Sequence, residues 1–374
     1  MVSNGEKIVE EVHMQKKKVE LLSLSFEEMK AFVVSIGEPS YRAEQIYTAM
    51  SKGISPSEMT TLSKKTKAKI EEVAEFYLPK VEIKLISKID GTVKYLFRLS
   101  DGNCIEAVLM KYNHGNTICV SSQVGCRMGC KFCASTIGGK VRDLTAGEIL
   151  GEVIAAEKDS GERISNIVMM GIGEPLDNYD NAVKFLRLVN EEKGLNIGYR
   201  HISLSTCGDV PDIDRLASEN LPITLSISLH APDDKTRSEI MPINNAYNID
   251  QLMRACRDYY SENGRRISFE YTLISGKNDT KEQALALAGL LNSSLRPKGK
   301  VGMPIHVNLI PVNDVTESGF KRSDKDSISR FAKTLEGKGI RATVRRKLGP
   351  DINASCGQLR RQKAGVTNTL PENT

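Results

Sequence analysis

The residues best suited to chemistry are three cysteines in the stretch "CRMGCKFC", namely Cys126, Cys130 and Cys133. A structural zinc site normally takes four ligands in two separated pairs, and the sequence has no second C-x-x-C to supply the other pair. Iron–sulfur clusters are held by thiolates on short cysteine-rich loops. Three thiolates can bind three irons of a 4Fe–4S cube and leave the fourth iron open. The spacing therefore predicts a cluster site, and three ordinary buried cysteines are the alternative.

Other polar residues follow segments that have the pattern of strands. The stretch "MMGIGEPLDN" contains Gly171 and Gly173, which permit close backbone approach, and Glu174, which can accept a hydrogen bond from an ammonium group. Taken alone, such a motif is a turn more often than a site. Later segments place short polar side chains at predicted strand ends: Ser205, Ser228, His230 and Asn313. Each alone would be a cap or a satisfied core group, but their convergence on one rim indicates ligand binding.

Three further residues stand apart from these motifs. Cys119 lies seven residues before the cysteine triplet, Cys356 lies in "DINASCGQL", and Glu106 lies in "NCIEAV". A free cysteine is by default a small hydrophobe, and a strand glutamate is by default solvated. The residues alone assign none of the three a role.

The elements that must position these residues change character along the chain. Residues 20–76 have a helical pattern, in which Ser25 and Glu28 form a candidate capping box. Residues 81–112 alternate with period two around two Asp-Gly turns, which predicts a three-stranded meander. From residue 117 six apolar strands alternate with amphipathic helices, which predicts an α/β fold with a parallel sheet, either open or curled into a partial barrel. In such folds functional groups collect where strands end.

Length, composition and charge indicate which class of protein the chain belongs to. The chain has 374 residues, of which 26% are charged, and it contains no apolar run long enough to span a membrane. Its first residues lack the apolar stretch of a secretory signal, so a cytoplasmic protein with reduced thiols is expected. The net charge of +5 is mild, but basic clusters occur at 16–18, 265–266, 345–347 and 360–363. Each cluster alone is a solvated face more often than a phosphate contact.

The C-x-x-x-C-x-x-C motif after the first strand of a β/α barrel resembles the radical S-adenosylmethionine (radical-SAM) superfamily. Its open iron binds the methionine portion of S-adenosylmethionine (SAM). The further combination "CVSSQVGCRMGCKFCAS", "MGIGEPLDN", "SLHAP", "MPIN", "HVNLIPVN" and "CGQLR" is similar to the bacterial adenine-C2 RNA methyltransferases of the RlmN type over about residues 20–362. That family methylates carbon 2 of one adenine in 23S ribosomal RNA and of the adenine 3′ of the anticodon in some transfer RNAs.

The resemblance implies a role for each matching position. Cys126, Cys130 and Cys133 match the ligands of one 4Fe–4S cluster. The positions that match SAM contacts are Gly173, Glu174, Ser205, Ser228, Leu229, His230 and Asn313. Cys356 matches the cysteine that becomes S-methylated, Cys119 its resolving partner, and Glu106 the general base. Two molecules of SAM are consumed for each methylation. One supplies the methyl group and the other the radical, and a transient protein–RNA adduct is then resolved as a disulfide.

The fold class implied is a partial (β/α)6 radical-SAM barrel with an N-terminal helical domain and a β-meander extension. The parts expected are a flexible N-terminus (1–19), a helical RNA-binding domain (20–78), the meander (79–114), the radical-SAM core (115–348), and a C-terminal segment with the catalytic cysteine and a disordered tail (349–374). The expected partners are 23S ribosomal RNA, transfer RNA and an external electron donor of the flavodoxin kind. No membrane is involved, and a monomer is expected. Cys104, Cys207 and Cys256 are predicted to be packing residues.

Three alternatives remain open. A Cfr-type enzyme would methylate adenine C8, although "GEPLDN" and "LIPVN" resemble the C2 group. A non-catalytic zinc-dependent RNA-binding module would be colourless and would contain zinc instead of iron. A radical-SAM activase that makes a glycyl radical on a partner protein would leave Cys119, Cys356 and Glu106 unexplained.

Overall fold

The structure is a computed structural model that describes residues 18–296, 302–312, 319–352 and 354. Two predicted site residues, Asn313 and Cys356, lie outside the described residues, as do most of the predicted N-terminal and C-terminal tails. No helix in these ranges has the length and apolar character needed to cross a membrane.

The chain begins with a small helical part that closes on itself through a short parallel strand pair, β1 with β2. Its elements are β1 (Val19–Glu20), α1 (Phe26–Ser35), α2 (Arg42–Met50), α3 (Lys64–Val73) and β2 (Ala74–Glu75). The predicted capping box is present, because the Ser25 side chain accepts from the Glu28 amide and the Glu28 side chain accepts from the Ser25 amide. Gly37 follows α1 with a φ of 72°, a left-handed conformation that glycine adopts at little cost.

The predicted meander is confirmed as three antiparallel strands. They are β3 (Lys80–Ile86), β4 (Val93–Arg98) and β5 (Cys104–Tyr112). The two Asp-Gly turns hold Gly91 and Gly102 at positive φ, as tight hairpin turns require. Strand β5 also pairs antiparallel with β6 (Gly115–Cys119), so the meander and the parallel sheet form one ten-stranded sheet.

Within the described residues, seven parallel strands form the partial barrel. Its strands are β6, β9 (Ile164–Met169), β10 (Ile202–Thr206), β11 (Thr224–Ser228), β12 (Ile267–Leu273), β13 (Ile305–Pro311) and β14 (Arg341–Val344), in that spatial order. The six predicted strands are all present, and β14 extends them. A separate hairpin of β7 (Gln123–Gly125) and β8 (Lys140–Asp143) follows β6. The predicted first strand, residues 117–123, ends at Cys119 because the Ser122 amide turns to donate to the Ile172 carbonyl.

Helices cover the strands from outside, and the main apolar core lies between the two. The helices are α4 (Ala146–Ser160), α5 (Tyr179–Asn190), α6 (Val210–Ser218), α7 (Asp234–Ile240), α8 (Ile249–Asn263), α9 (Lys281–Leu295) and α10 (Lys325–Gly337). Apolar strand residues such as Leu204 and Ile227 are fully buried in this core. The carboxyl ends of the strands therefore share one rim, where the candidate site lies.

Candidate active site

The cysteine triplet occupies the loop between β7 and β8. Cys126 and Cys130 are buried and Cys133 is half-buried. The Cys133 amide donates to the Cys130 carbonyl, and the Lys131 amide donates to the Ile240 carbonyl at 2.9 Å, so the loop is fixed to the end of α7. All three cysteines line one cavity of about 210 Å³, called the cluster cavity below. The structure thus brings together the three residues that the spacing singled out.

Two of the three thiols, those of Cys126 and Cys130, are electrostatically unsuited to be thiolates without added positive charge. Burial raises the pKa of Cys126 to about 12, and Glu174 and Cys133 reinforce that rise. Burial also raises the pKa of Cys130, with Cys133 and Cys126 adding to it. Since only the thiolate binds metal, this set becomes a ligand set when a strongly cationic group enters the cavity.

The donor set fits a cluster better than a single ion. Among the described residues, no group of three or more His, Cys, Asp or Glu side chains is arranged to hold one metal ion. The three cysteines instead surround a cavity, and thiolates that bind different irons of a cluster must be more widely spaced than ligands of one ion. The chain supplies three such donors, which leaves one iron of a 4Fe–4S cluster for another ligand.

Gly171 and Gly173, in the stretch "MMGIGEPLDN", allow two loops to pack closely against each other. A Cβ on Gly173 would lie 2.6 Å from Ser122 Oγ and 2.8 Å from the Gln123 amide nitrogen, and the φ of this residue is 111°. A Cβ on Gly171 would lie 2.5 Å from the Val120 carbonyl oxygen. The loop after β9 therefore lies directly against the chain that leads to the cysteines. Both glycines line the cluster cavity as well.

Glu174 is a buried carboxylate in the wall of the cluster cavity. Its Oε2 accepts from the Cys207 amide at 2.7 Å, and its Oε1 accepts from the Leu176 amide at 3.1 Å. Burial raises the pKa of Glu174, and these two amide donors oppose that rise. Each carboxylate oxygen can accept a second hydrogen bond, so Glu174 retains capacity for an ammonium donor.

The predicted strand-end residues also meet at this cavity, with one exception. The Ser205 and Ser228 hydroxyls lie 3.5 Å apart and line it. His230 lines it too, while its Nδ1 accepts from the Thr272 amide at 2.9 Å, which leaves the ring proton on Nε2. Burial lowers the pKa of His230 to about 3, so the ring is neutral. Leu229 is fully buried in the core and does not line the cavity, so its SAM contact stays a prediction.

Sequence reasoning did not assign Glu270 or Cys207 to this cavity, although both line it. Glu270 is buried in its wall, where its carboxylate accepts from the Ser268 hydroxyl and the Asn308 amide. The available signal was that Glu270 is the one charged residue in the strand "ISFEYTL". Cys207, predicted to be a packing residue, packs beside Cys130 and also lines the cavity.

A second cavity of about 240 Å³, called the mouth cavity, adjoins the first. Cys119, Val108 and Met110 form its apolar wall, and Ala354 packs against the same three side chains. The basic residues that line it are Arg322, Arg345, Arg346 and Lys347. The residues shared by both cavities are Phe132, Cys133, Thr272, Ile310 and Arg345. Cys119 and the cysteine triplet therefore line adjacent cavities, which share a wall that includes Cys133.

Glu106 lies deeper on the strand that supplies this wall. It precedes Val108 by two residues on β5, so its side chain is on the same face of the sheet. The carboxylate is 2% exposed and forms an ion pair at 3.1 Å with Lys94 Nζ, whose side chain is fully buried. Neither residue lines the mouth cavity itself.

The C-terminal segment is attached to the meander by side-chain hydrogen bonds. The Asp351 carboxylate accepts from the Ser87 hydroxyl at 2.7 Å and from the Lys88 amide at 2.9 Å. Asp90 accepts from the Gly349 amide. Burial opposes ionisation of Asp90, but the Gly349 and Thr92 amides, which donate to its carboxylate, lower its pKa to about 2. The contacts bring Ala354 to the mouth cavity, two residues before Cys356 in the sequence.

Two family models match the chain. The model described as "Radical SAM superfamily" matches residues 120–288, which include the cysteine triplet and strands β9 to β12 of the cluster cavity. The model described as "Ribosomal RNA large subunit methyltransferase N-terminal domain" matches residues 19–76, the helical part.

Curated relatives match over almost the whole length. A probable dual-specificity RNA methyltransferase RlmN of Clostridium botulinum (strain Eklund 17B / Type B) is 53% identical over 94% of this chain and 99% of its own. A protein of the same description from Alkaliphilus metalliredigens is 51% identical over 92% of this chain and 96% of its own. Among solved structures, a radical SAM methyltransferase from Sphaerobacter thermophilus is similar with a TM-score of 0.84 and 42% identity, covering 91% of this chain and 98% of that one.

Proposed function

The chain belongs to the RlmN-type family of radical-SAM RNA methyltransferases, and on that premise we propose that it methylates C2 of a specific adenine. It is an enzyme whose family uses a 4Fe–4S cluster and SAM. The proposed substrates are one adenine of 23S ribosomal RNA and the adenine 3′ of the anticodon in some transfer RNAs. An enzyme that modifies these RNAs is expected to act in the cytoplasm.

One observation carries the proposal. Cys119 faces a cavity that shares the wall of Phe132 and Cys133 with the cluster cavity, and Ala354 packs beside it. A methyl-carrying cysteine two residues beyond Ala354 needs this arrangement, with cluster and cofactor on one side and a second cysteine on the other. An activase that acts on a partner protein has no use for it.

The residues that would hold the cofactors line the cluster cavity. Cys126, Cys130 and Cys133 would hold the cluster. The residues proposed to hold SAM are Gly173, Glu174, Ser205, Ser228 and His230, which line this cavity, together with Leu229, which does not line it, and Asn313, which lies outside the described residues. When bound, the two groups supply a carbon-centred radical, the kind of reagent that an electron-poor ring carbon accepts.

The chain's own residues would carry the remaining steps. The Cys356 thiolate takes the methyl group from SAM and presents it to the base. Glu106 removes the C2 proton of the adduct. The Cys119 thiolate then attacks the Cys356 sulfur. The sulfur–carbon bond breaks with its electron pair on carbon, which takes up a proton and becomes the new methyl group. The resulting disulfide must be reduced before another turnover, and two external thiols or one dithiol supply the two electrons and become a disulfide themselves.

The rim of the mouth cavity is suited to RNA. Arg322, Arg345, Arg346 and Lys347 surround it, and such side chains bind phosphate and fix the position of a nucleic acid without reading its sequence. The target base must leave its stack to enter the cavity. We also propose a monomeric enzyme that receives its electrons from a flavodoxin-like donor.

Turnover of unmodified RNA by the anaerobically reconstituted full chain tests the proposal. With methyl-labelled SAM, the wild type and a Cys104→Ser control should place label on adenine C2, as located by mass analysis of the nucleoside. Cys356→Ala should transfer no label. Label on C8 would establish the Cfr-type alternative. A colourless zinc protein without transfer, or full activity of Cys356→Ala, would refute the proposed mechanism.

A further inference from the structure

Arg237 has the largest fully buried side chain in the described part of the chain. It lies on α7, behind the ends of β10 and β11. Its guanidinium donates to the carbonyl oxygens of Cys207 at 2.6 Å, Leu229 at 3.1 Å and Ser228 at 3.3 Å, and to Asn244 Oδ1 at 3.0 Å. Every acceptor is a neutral oxygen.

No ion pair within the described ranges includes Arg237. The nearby Asp234 carboxylate instead accepts from the Asn244 side chain and the Ile249 amide. Neutral carbonyls solvate a guanidinium but do not cancel its charge, and a buried charge is costly unless a counter-charge compensates it. Lys94 shows the usual solution elsewhere in the molecule, since it is equally buried but paired with Glu106. Asp234 acts on Arg237 only across space, so none of these side chains supplies an anion in direct contact with the guanidinium.

The position of Arg237 indicates which anion would compensate it. Burial lowers the pKa of Arg237, and Cys207 and Cys130 oppose that change most, ahead of Asp234. Arg237 also donates to the Cys207 carbonyl, and Cys207 packs beside Cys130. Cys130 is one of the three cluster cysteines, and Cys207 lines the cluster cavity. Ile240, at the end of the same helix, accepts a hydrogen bond from Lys131 in the cysteine loop. Arg237 is thus held directly behind the wall of the cluster cavity.

We propose that Arg237 is the fixed counter-charge of the iron–sulfur cluster and raises its reduction potential. Each bound thiolate adds a negative charge, and one electron from an external one-electron donor adds another. A cation fixed in a water-poor wall stabilises the reduced state more than the oxidised one. Arg237 is therefore a positioning residue for the cluster's charge and not a ligand. The inference rests on the family's cofactor and not on the proposed site of methylation, so either can fail alone.

A redox titration of the anaerobically reconstituted full chain tests this role. The signal is the paramagnetic resonance of the reduced cluster, with dithionite as reductant. At the wild-type midpoint potential, Arg237→Gln should lower the ratio of reduced to oxidised cluster at least tenfold, a shift of about 59 mV for a one-electron couple. Arg237→Lys retains the charge and should change that ratio about threefold or less.

Arg127→Gln is the matched control. Arg127 directly follows Cys126 but is exposed and paired with Asp177, so its loss should leave the midpoint unchanged. The proposal is overturned if Arg237→Gln holds four irons per chain with the wild-type midpoint, or if Arg237→Lys shifts it as far as Arg237→Gln does. If Arg237→Gln does not retain iron, iron content becomes the measurement. Arg237→Lys must then retain it, and equal loss in both variants also overturns the proposal.

Discussion

The two cavities share a wall at the carboxyl ends of the strands but are built in different ways. In the cluster cavity, backbone amides hold Glu174 and His230 in place. The Cys207 and Leu176 amides hold Glu174, and the Thr272 amide holds His230. The mouth cavity has an apolar wall around Cys119 and an exposed basic rim. The first is preorganised for a small cofactor, whereas the second is open to a large anionic partner.

The two sides also treat buried charge differently. Behind the cluster cavity, Arg237 has neutral acceptors only among the described residues. Beneath the mouth cavity, Lys94 and Glu106 neutralise each other at 3.1 Å. Under the proposed roles, a bound cluster would supply the counter-charge of Arg237, whereas Glu106 already has the counter-charge of Lys94. The two buried cations, Arg237 and Lys94, are therefore compensated in different ways.

The largest expected effect separates the two cavities by function. Cys119→Ala should leave iron content at the wild-type level, because Cys119 does not line the cluster cavity. It should lower methyl turnover by about a thousandfold or more, since no thiolate resolves the adduct. A covalent protein–RNA adduct should accumulate on denaturing gels. Cys104→Ser is the control with normal turnover, and unchanged turnover in Cys119→Ala would remove the mouth cavity from the mechanism.

The next largest effect is expected from breaking the buried Lys94–Glu106 ion pair. Lys94→Met leaves the Glu106 carboxylate buried without its cation, and removal of one partner of such a pair costs about 3–5 kcal/mol. Urea unfolding of the cluster-free protein measures this cost. Lys277→Met, which breaks an exposed pair with Glu239, should cost less than about 1 kcal/mol.

The double variant Lys94→Met with Glu106→Gln sharpens the result. It removes both charges and should recover part of the lost stability. If Lys94→Met lowers the free energy of unfolding no more than Lys277→Met does, the buried ion pair does not stabilise the fold as its burial implies.

The neutral His230 gives a pH-dependent test of the cluster cavity. Its pKa falls from about 6.5 in the unfolded chain to about 3 in the folded protein. Between these values the unfolded chain binds a proton that the folded protein does not. Its contribution to the free energy of unfolding therefore falls as pH falls below 6.5, by about 1.4 kcal/mol per pH unit.

His230→Asn should remove this dependence, because asparagine tolerates the positive φ of 56° and can accept from the Thr272 amide. Urea unfolding of the cluster-free protein at pH 5.5 and 7.5 measures the difference, with exposed His201→Gln as the control. Equal pH dependence in wild type and His230→Asn would contradict a neutral buried ring.

The fold was predictable where local signals agree with tertiary packing. The Ser25–Glu28 capping box and the two Asp-Gly turns depend on neighbouring residues, and all are present in the structure. The end of β6 at Cys119 was missed, because the turn depends on the Ile172 carbonyl fifty residues further along the chain.

The site was predictable where its residues are close in sequence, as in the cysteine triplet. The roles of Glu106, Cys119 and Cys356 came from family resemblance alone and stay predictions. Arg237 gave no signal, since an arginine on the short charged segment "DKTRSEI" is usually solvated. Only the close approach of α7 to two strand ends makes it a buried cation. Long-range packing of this kind cannot be read from a pattern of neighbouring residues.

The smallest expected effect concerns the basic rim. Arg346 is exposed and lines the mouth cavity, so Arg346→Ala should weaken binding of unmodified RNA only a few-fold. If this guanidinium binds one phosphate, the slope of log affinity against log salt should become shallower by about 0.7–0.9, because one fewer counterion is released. Fluorescence anisotropy with labelled RNA at several salt concentrations measures both quantities. Arg254→Ala, on the exposed face of α8, should change neither. An Arg346→Ala variant with the wild-type slope would place the RNA backbone elsewhere on the surface and leave the mouth cavity as an entrance for the base alone.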